Sequence, residues 1–319
     1  MDERSIIKRE MGNVALAVVG QLTTMVLLMI VGFLLSKKGY LQDTKGLSIV
    51  LTKVAVPANM IVLLQREFSH EILIGFLKTG CGTLFLCILG TIIFMIVGKC
   101  LKMDFPQLGL FAGGGVYSNV IFMGQPLVTA MFGAEGLIFC VGVMFASNVY
   151  LFTACSVLFS YKCGTAKPPV KMVKDAFFNL ICFSAIIGIV LFVNSISLPS
   201  PLYNALNYAS TTTVCLSMIV IGSLLAAAKV KEVLKDKTVY IFSFFTLIVM
   251  PVITKLIMGF VVDGVALGVM VILMGTPAAA ALPSFAGGYG NDEKRASEYV
   301  FVSTVLSVIT LPLTAKFLC

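Results

Sequence analysis

Charge is scarce in this sequence. Asp, Glu, Lys and Arg together fill 12% of the 319 positions, where a soluble chain carries roughly 25%. The hydrophobic share is 59%. One soluble core of this length cannot hide that much apolar surface, so the chain is expected to be covered by lipid. Tryptophan is absent. Anchoring at the membrane–water boundary therefore falls to Tyr40, Tyr161, Tyr203, Tyr240 and Tyr299. Histidine occurs once, as His70. It sits in a short loop beside Glu67 and Glu71 and reads as solvated loop rather than metal site. No Asp or Glu lies deep in an apolar run, since Asp263 and Glu298 stand at edges. That argues against a carboxylate proton relay or a carboxylate sodium site. No two of the nine cysteines have CxxC spacing, so they read as small packing residues. No Lys-Ser/Thr pair follows Gly113-Gly114-Gly115, which excludes a P-loop. No catalytic constellation appears, and an enzyme is not expected.

What is present is a series of long apolar runs. A spanning helix needs about 20 mostly apolar residues. We read an all-α polytopic membrane protein with ten spans, at about 14–35, 44–64, 72–98, 107–132, 137–161, 174–194, 204–227, 238–260, 264–289 and 296–318. The first run, Val14 to Leu35, is too long for a cleavable signal segment and ends in Ser36-Lys37-Lys38. The net charge of +8 reads as topology rather than nucleic-acid binding, because the basic residues crowd into alternate loops. Fifteen lie after odd-numbered spans, among them Lys99, Lys102, Lys162, Lys167, Lys171, Lys229, Lys231 and Lys294. Five lie at the termini or after even-numbered spans: Arg4, Lys8, Arg9, Arg66 and Lys316. By the positive-inside rule the odd loops face the cytoplasm, in a plasma or inner membrane, and both termini lie outside.

Spacing adds an internal repeat. Pro126 and Pro283 stand 157 positions apart, as do Gly133 and Gly290, and Glu135 and Asp292; Gly32 and Gly188 stand 156 apart. One offset thus aligns spans 1–5 with spans 6–10. Each half holds an odd number of spans, so the second is expected to insert upside down. The halves are residues 1–161 and 174–319, joined by a basic cytoplasmic linker at 162–173. The fourth and ninth spans are the least regular. The fourth carries Gly113-Gly114-Gly115, Ser118-Asn119 and Gly124-Gln125-Pro126. The ninth carries Gly275-Thr276-Pro277 and Leu282-Pro283-Ser284. Both are expected to be broken, since backbone freed in hydrocarbon is tolerated only when buried in protein or lining a wet cavity.

Inverted repeats with a discontinuous helix in each half point to a transporter, with binding where the broken helices cross. The candidate substrate-binding residues are Ser118, Asn119, Gln125, Pro126, Thr276, Pro277, Pro283 and Ser284. Carboxamides offer donors that suit a carboxylate, and half-helix N-termini favour anions. Capping of the broken ends is the alternative reading of these polar residues. Lys53 and Asn59 in the second span complete the set. A charged residue inside a span usually has a use; Lys53 either draws an anion into the site or snorkels to the interface. Asn148 reads first as a helix-joining amide and otherwise as a residue lining the cavity. No cofactor is expected beyond a coupling proton or sodium. The expected partners are a small organic anion, such as a mono- or dicarboxylate, the bilayer, and a second copy of the chain as a homodimer.

Several motifs resemble the auxin efflux carrier family, which includes plant auxin exporters and bacterial permeases assigned to malate or malonate. Span 1 ends Val-Gly-Phe-Leu-Leu-Ser-Lys-Lys-Gly-Tyr-Leu at residues 31–41. Val56-Pro57-Ala58 resembles the family's second-span proline. Asn-Val-Ile-Phe-Met-Gly-Gln-Pro-Leu at 119–127 is similar to its fourth-span crossover, and Pro277-Ala278-Ala279, Phe285-Ala286 and Tyr289-Gly290 to its ninth. The resemblance implies crossed broken helices and carrier-mediated movement of organic anions. It also implies an elevator-like mechanism, in which spans 3–5 and 8–10 move against spans 1, 2, 6 and 7. The chain departs from plant members at Ser118, where they have proline, and in its short linker. Ala281 stands where many bacterial members carry a polar residue. Two other readings fit the same residues: a sodium-coupled symporter of the bile-acid type, and a membrane sensor that binds a small acid without moving it.

Overall fold

The computed structural model describes every residue except 1, 2, 42, 165–167, 228–232 and 234, and describes no side chain at 3–16, 169, 173 or 227. Of the basic residues that set the expected orientation, Arg4, Lys8 and Arg9 lie among those undescribed side chains. Lys167, Lys229 and Lys231 lie outside the described residues altogether, as does the middle of the 162–173 linker.

The described chain is helical, with no strand. α1 (Glu3–Lys37) precedes α2 (Lys45–Val50) and α3 (Val56–Leu63), which a π-helical turn at Leu51–Ala55 joins into one rod. α4 (His70–Cys100) follows. α5 (Phe105–Val116) ends at an interruption, and a π-helical turn at Val120–Gly124 then leads into α6 (Gln125–Tyr150). A further π-helical turn at Leu151–Cys155 continues into α7 (Ser156–Ser160). α8 (Pro169–Phe178) and α9 (Leu180–Val193) meet at a 58° bend. α10 (Ser200–Ala227) precedes α11 (Lys237–Phe244), which a π-helical turn at Phe245–Val249 connects to α12 (Met250–Met258). α13 (Gly264–Met274) ends at a second interruption, followed by α14 (Leu282–Gly288) and α15 (Glu293–Leu318).

Among the described residues, seven helices are long and apolar enough to cross a membrane, or eight if the bent α8–α9 pair counts as one span. The difference from ten has a structural reason. The run Val120–Ser160 spans 41 residues without a loop, but Gly133 turns it at φ 59°, ψ −145°, a conformation that a side chain disfavours. α5, α13 and α14, on either side of the interruptions, are too short to pass as spans by themselves. Two further expectations shift. α1 begins at Glu3, well ahead of its apolar run, and the sixth run is bent at Asn179 rather than straight.

Local chemistry accounts for several of these features. Three π-helical turns end two positions short of a proline: Pro57, Pro126 and Pro251. Proline has no N–H, and its ring crowds the carbonyl four residues back. Widening the turn by one residue moves that carbonyl aside and keeps the helix unbroken. The turn at Leu151–Cys155 has no such proline. Aspartates start three helices: Asp104 accepts from Gln107 N–H at 3.0 Å, Asp236 from Thr238 N–H at 2.8 Å, and Asp292 from Arg295 N–H at 2.9 Å. Asp236 also pairs with the Arg295 guanidinium. Burial opposes its charge, but the bonds from Thr238 and Arg295 win and hold the carboxyl below its usual range.

The core packs α5 against its neighbours through aromatic rings. Phe242 and Tyr299 stack at 4.2 Å, 7° from parallel, and Phe94 meets Phe111 edge-on at 5.3 Å. Gly113, Gly114 and Gly115 stay helical within α5. A Cβ on Gly115 would lie 2.3 Å from the Phe94 ring. This glycine run therefore admits close neighbours, and the helix breaks after it, at 117–119.

Candidate functional site

The two interruptions are joined to each other. Asn119 N–H donates to the Pro277 carbonyl at 2.8 Å, and Ala279 N–H donates to the Tyr117 carbonyl at 2.9 Å. Ser118 and Ala278 thus form an isolated antiparallel bridge. Ala278 N–H turns the other way and donates to Ser303 Oγ of α15 at 3.2 Å. In apolar surroundings each unpaired backbone group costs several kcal/mol. Here each break supplies the partners that the other lacks, and Ser303 supplies one more.

Beside this junction lies a cavity of about 210 Å³. That is below the usual range of drug-sized pockets, about 300–1,000 Å³, and suits a small solute. Ser118 and Asn119 form part of its wall, and Lys53 reaches it from the π-helical turn before Pro57. Both junction side chains are buried. Ser118 Oγ and Asn119 Nδ2 find no hydrogen-bond partner in the protein. Buried polar atoms are normally paired, so two orphans on neighbouring residues of one cavity lining stand out. The helix through Val120–Tyr150 also begins here. Its first N–H groups have no intrahelical acceptor and carry the positive end of the helix dipole. The lining is also aromatic, with Tyr117 and Phe152 each edge-on to Phe285 at 6.0 and 5.5 Å. The site combines polar side chains, one lysine and aromatic rings.

Of the ten candidate residues, Lys53, Ser118 and Asn119 are brought together in this cavity. Pro277 stands behind it as the carbonyl partner of Asn119. Thr276 is fully buried, and its hydroxyl donates to the Leu273 carbonyl at 2.7 Å. Gln125 is buried outside the cavity lining, with Oε1 unpartnered. Pro126 and Pro283 are buried in the first turns of α6 and α14. Ser284 is exposed and outside the lining. Asn59 Nδ2 donates to Ser210 Oγ of α10 at 3.0 Å, which ties α3 to α10.

Other residues line the cavity besides the ten candidates. Asn148 lines the cavity, and its amide donates to the Met144 carbonyl of its own helix at 2.8 Å, so it does not glue two helices through that bond. Asn179, at the bend before α9, lines it too. Its Oδ1 accepts from Cys182 N–H at 2.9 Å, capping α9. The signal was available, since an asparagine just before an apolar run is a helix-start pattern. Tyr117 and Phe152 carried none, because aromatic residues in spans are ordinarily packing; Phe285 stood only within a family-like motif.

Comparison with known proteins gives the family. A model of the family described as "Membrane transport protein" matches residues 17–315. An uncharacterized transporter of Methanocaldococcus jannaschii is 26% identical over 300 residues, covering 90% of this chain and 94% of that one. An uncharacterized transporter of Methanothermobacter thermautotrophicus is 25% identical over 300 residues, covering 91% and 95%. The spanning helices make the chain a multi-pass membrane protein, and the family's members are transporters, not enzymes. The chain belongs to the membrane transport protein family, that of the auxin efflux carriers.

Proposed function

We propose that this secondary transporter moves a small organic anion, and that the anion binds in the cavity beside the paired helix interruptions. The observation that carries the reading is the pair of buried, unpartnered polar atoms, Ser118 Oγ and Asn119 Nδ2, on residues that line a cavity together with Lys53. A carboxylate accepts hydrogen bonds and gives neither orphan a clash of charge; the Lys53 ammonium and the helix start at Val120 add attraction of the same sign.

The wider reading is ten spans in two inverted halves, with the fourth and ninth broken and crossing mid-bilayer. Runs 105–116 with 120–132, and 264–274 with 282–288, are the broken pair under this reading, and Gly133 divides the fourth span from the fifth. Alternating access follows if the bundle holding the junction slides against the rod of α2–α3 and α10. An inside-negative potential drives a monoanion outward by roughly 2.3 kcal/mol per 100 mV, so export needs no coupling ion. Uptake would need a proton or sodium. Both termini lie outside under this topology.

Purified protein reconstituted in vesicles tests the reading. A mono- and dicarboxylate panel is first screened by thermal shift, since a ligand stabilises the state it binds. Any stabilising acid is then followed as flux. Saturable binding without flux identifies a sensor, and flux only with a sodium gradient identifies a symporter. No stabilisation by any organic anion, alongside flux of a neutral or cationic solute, overturns the anion assignment.

A further inference from the structure

α8 does not fit the transport reading and carries a second feature. It is a helix of 10 residues bent 58° from α9. Asn179 holds that bend from both sides. Its Oδ1 accepts from Cys182 N–H in α9 at 2.9 Å, while its Nδ2 donates to the Ala176 and Asp175 carbonyls of α8 at 2.6 and 3.2 Å. One face of α8 is packed, through Met172 and Ala176, and Phe177 at its edge meets Phe145 of α6 at 6.5 Å. The other face is open, and its composition is unusual. Val170 is 80% exposed and Phe178 72% exposed, and between them on the same side stand the exposed Lys171 and Lys174. Close by in sequence, Lys162 lies over the Phe105 ring at 4.4 Å.

We propose that the open face of α8 is a docking surface for anionic phospholipid headgroups. If α9 crosses the bilayer, a helix set at 58° to it lies closer to the membrane plane than to its normal. Apolar side chains that water would disfavour then enter the acyl boundary, and lysines spaced among them reach headgroup phosphates. A neutral lipid surface would satisfy Phe178 and Val170 alone. The lysines on the same face select the charged lipid, each contributing roughly 1 kcal/mol near an anionic surface, about a fivefold preference. The proposal needs no particular orientation of the termini and no knowledge of the transported solute.

The chain has no tryptophan, which supplies the test. Phe178→Trp gives a single fluorophore on the open face, and Val170→Trp gives an independent second one. Ile309→Trp, at a position 66% exposed on α15, is the lipid-facing control. Each variant is reconstituted in vesicles with equal fractions of brominated phosphatidylcholine or brominated phosphatidylglycerol, whose bromines quench only neighbouring tryptophan. The expected result is several-fold stronger quenching by the brominated anionic lipid at 178 and 170, equal quenching by both lipids at 309, and loss of the difference in Lys171→Gln/Lys174→Gln. Equal quenching by both lipids at 178 and 170 overturns the charge selection. Water-like emission with no quenching there, while Trp at 309 is quenched, overturns the docking surface itself.

Discussion

The amide of Asn119 donates to the carbonyl of Pro277 at 2.8 Å, so the residue placed best for the ligand also holds the two broken helices together. Its two roles use different atoms. The backbone makes the bridge, and the side-chain Nδ2 is buried and unpartnered on a residue that lines the cavity. Asn119→Ala is therefore expected to leave the junction and expression intact while removing the donor. A hydrogen bond to a charged group is worth about 1.5–3 kcal/mol, which converts to roughly tenfold to hundredfold weaker ligand affinity. Thermal-shift titration against the stabilising acid measures it, and wild-type affinity would remove Asn119 from the site.

Lys53 tests the charge of the ligand. Lys53→Gln keeps the polarity and most of the length of the side chain and removes the cation. Affinity is expected to fall for every anion, and the salt dependence of binding to flatten, because the Coulomb attraction that salt screens is gone. Titrations at two ionic strengths read both effects. An unchanged salt dependence would return Lys53 to the interface.

Gly222 sits where α10 crosses α1. A Cβ there would lie 2.0 Å from the Met29 carbonyl oxygen, and backbone on both sides leaves nothing flexible to yield. Gly222→Ala is expected to separate the helices and cost about 1–3 kcal/mol or more. A lowered unfolding midpoint in detergent is the readout, with Gly20→Ala, which meets nothing within 4 Å, as the neutral comparison.

Asp236 makes stability acid-sensitive. Its folded carboxyl titrates below the ordinary value, so it adds stability that is fully present above the unfolded pKa, about 3.9, and is lost as pH falls through the folded one. Unfolding midpoints measured from pH 6 downward are expected to drop more steeply in wild type than in Asp236→Asn below about pH 4. Parallel curves would contradict the Asp236–Arg295–Thr238 arrangement.

The spans were legible to within a few residues wherever apolar runs ended at polar loops. The run read at 44–64 is Lys45–Leu63, and that read at 72–98 is His70–Cys100. Both interruptions were legible too, since glycine, proline and polar residues in hydrocarbon need a reason. Their positions within the runs were less so. Gly113-Gly114-Gly115 reads as a weak point and is helical, because close packing, not flexibility, selects those glycines. The bend at Asn179 was missed because Ala176, Phe177 and Phe178 just before it read as the start of the following apolar run.

By itself the sequence determined that the chain is helical and lies in a membrane, which of its apolar runs are broken, and which family it resembles. These follow from quantities that are local: run length, charge content, and residues that cannot complete a helix. Only the tertiary structure decided that Asn119, Ser118 and Lys53 share one cavity while Asn59, Gln125, Thr276 and Ser284 do not. Which side of a helix faces a neighbour depends on how residues more than a hundred positions away pack against it, as Asn59 against Ser210 and Asn119 against Pro277 do. Local pattern encodes that only weakly, because lipid-facing and packed faces are both largely apolar and differ mainly in small residues.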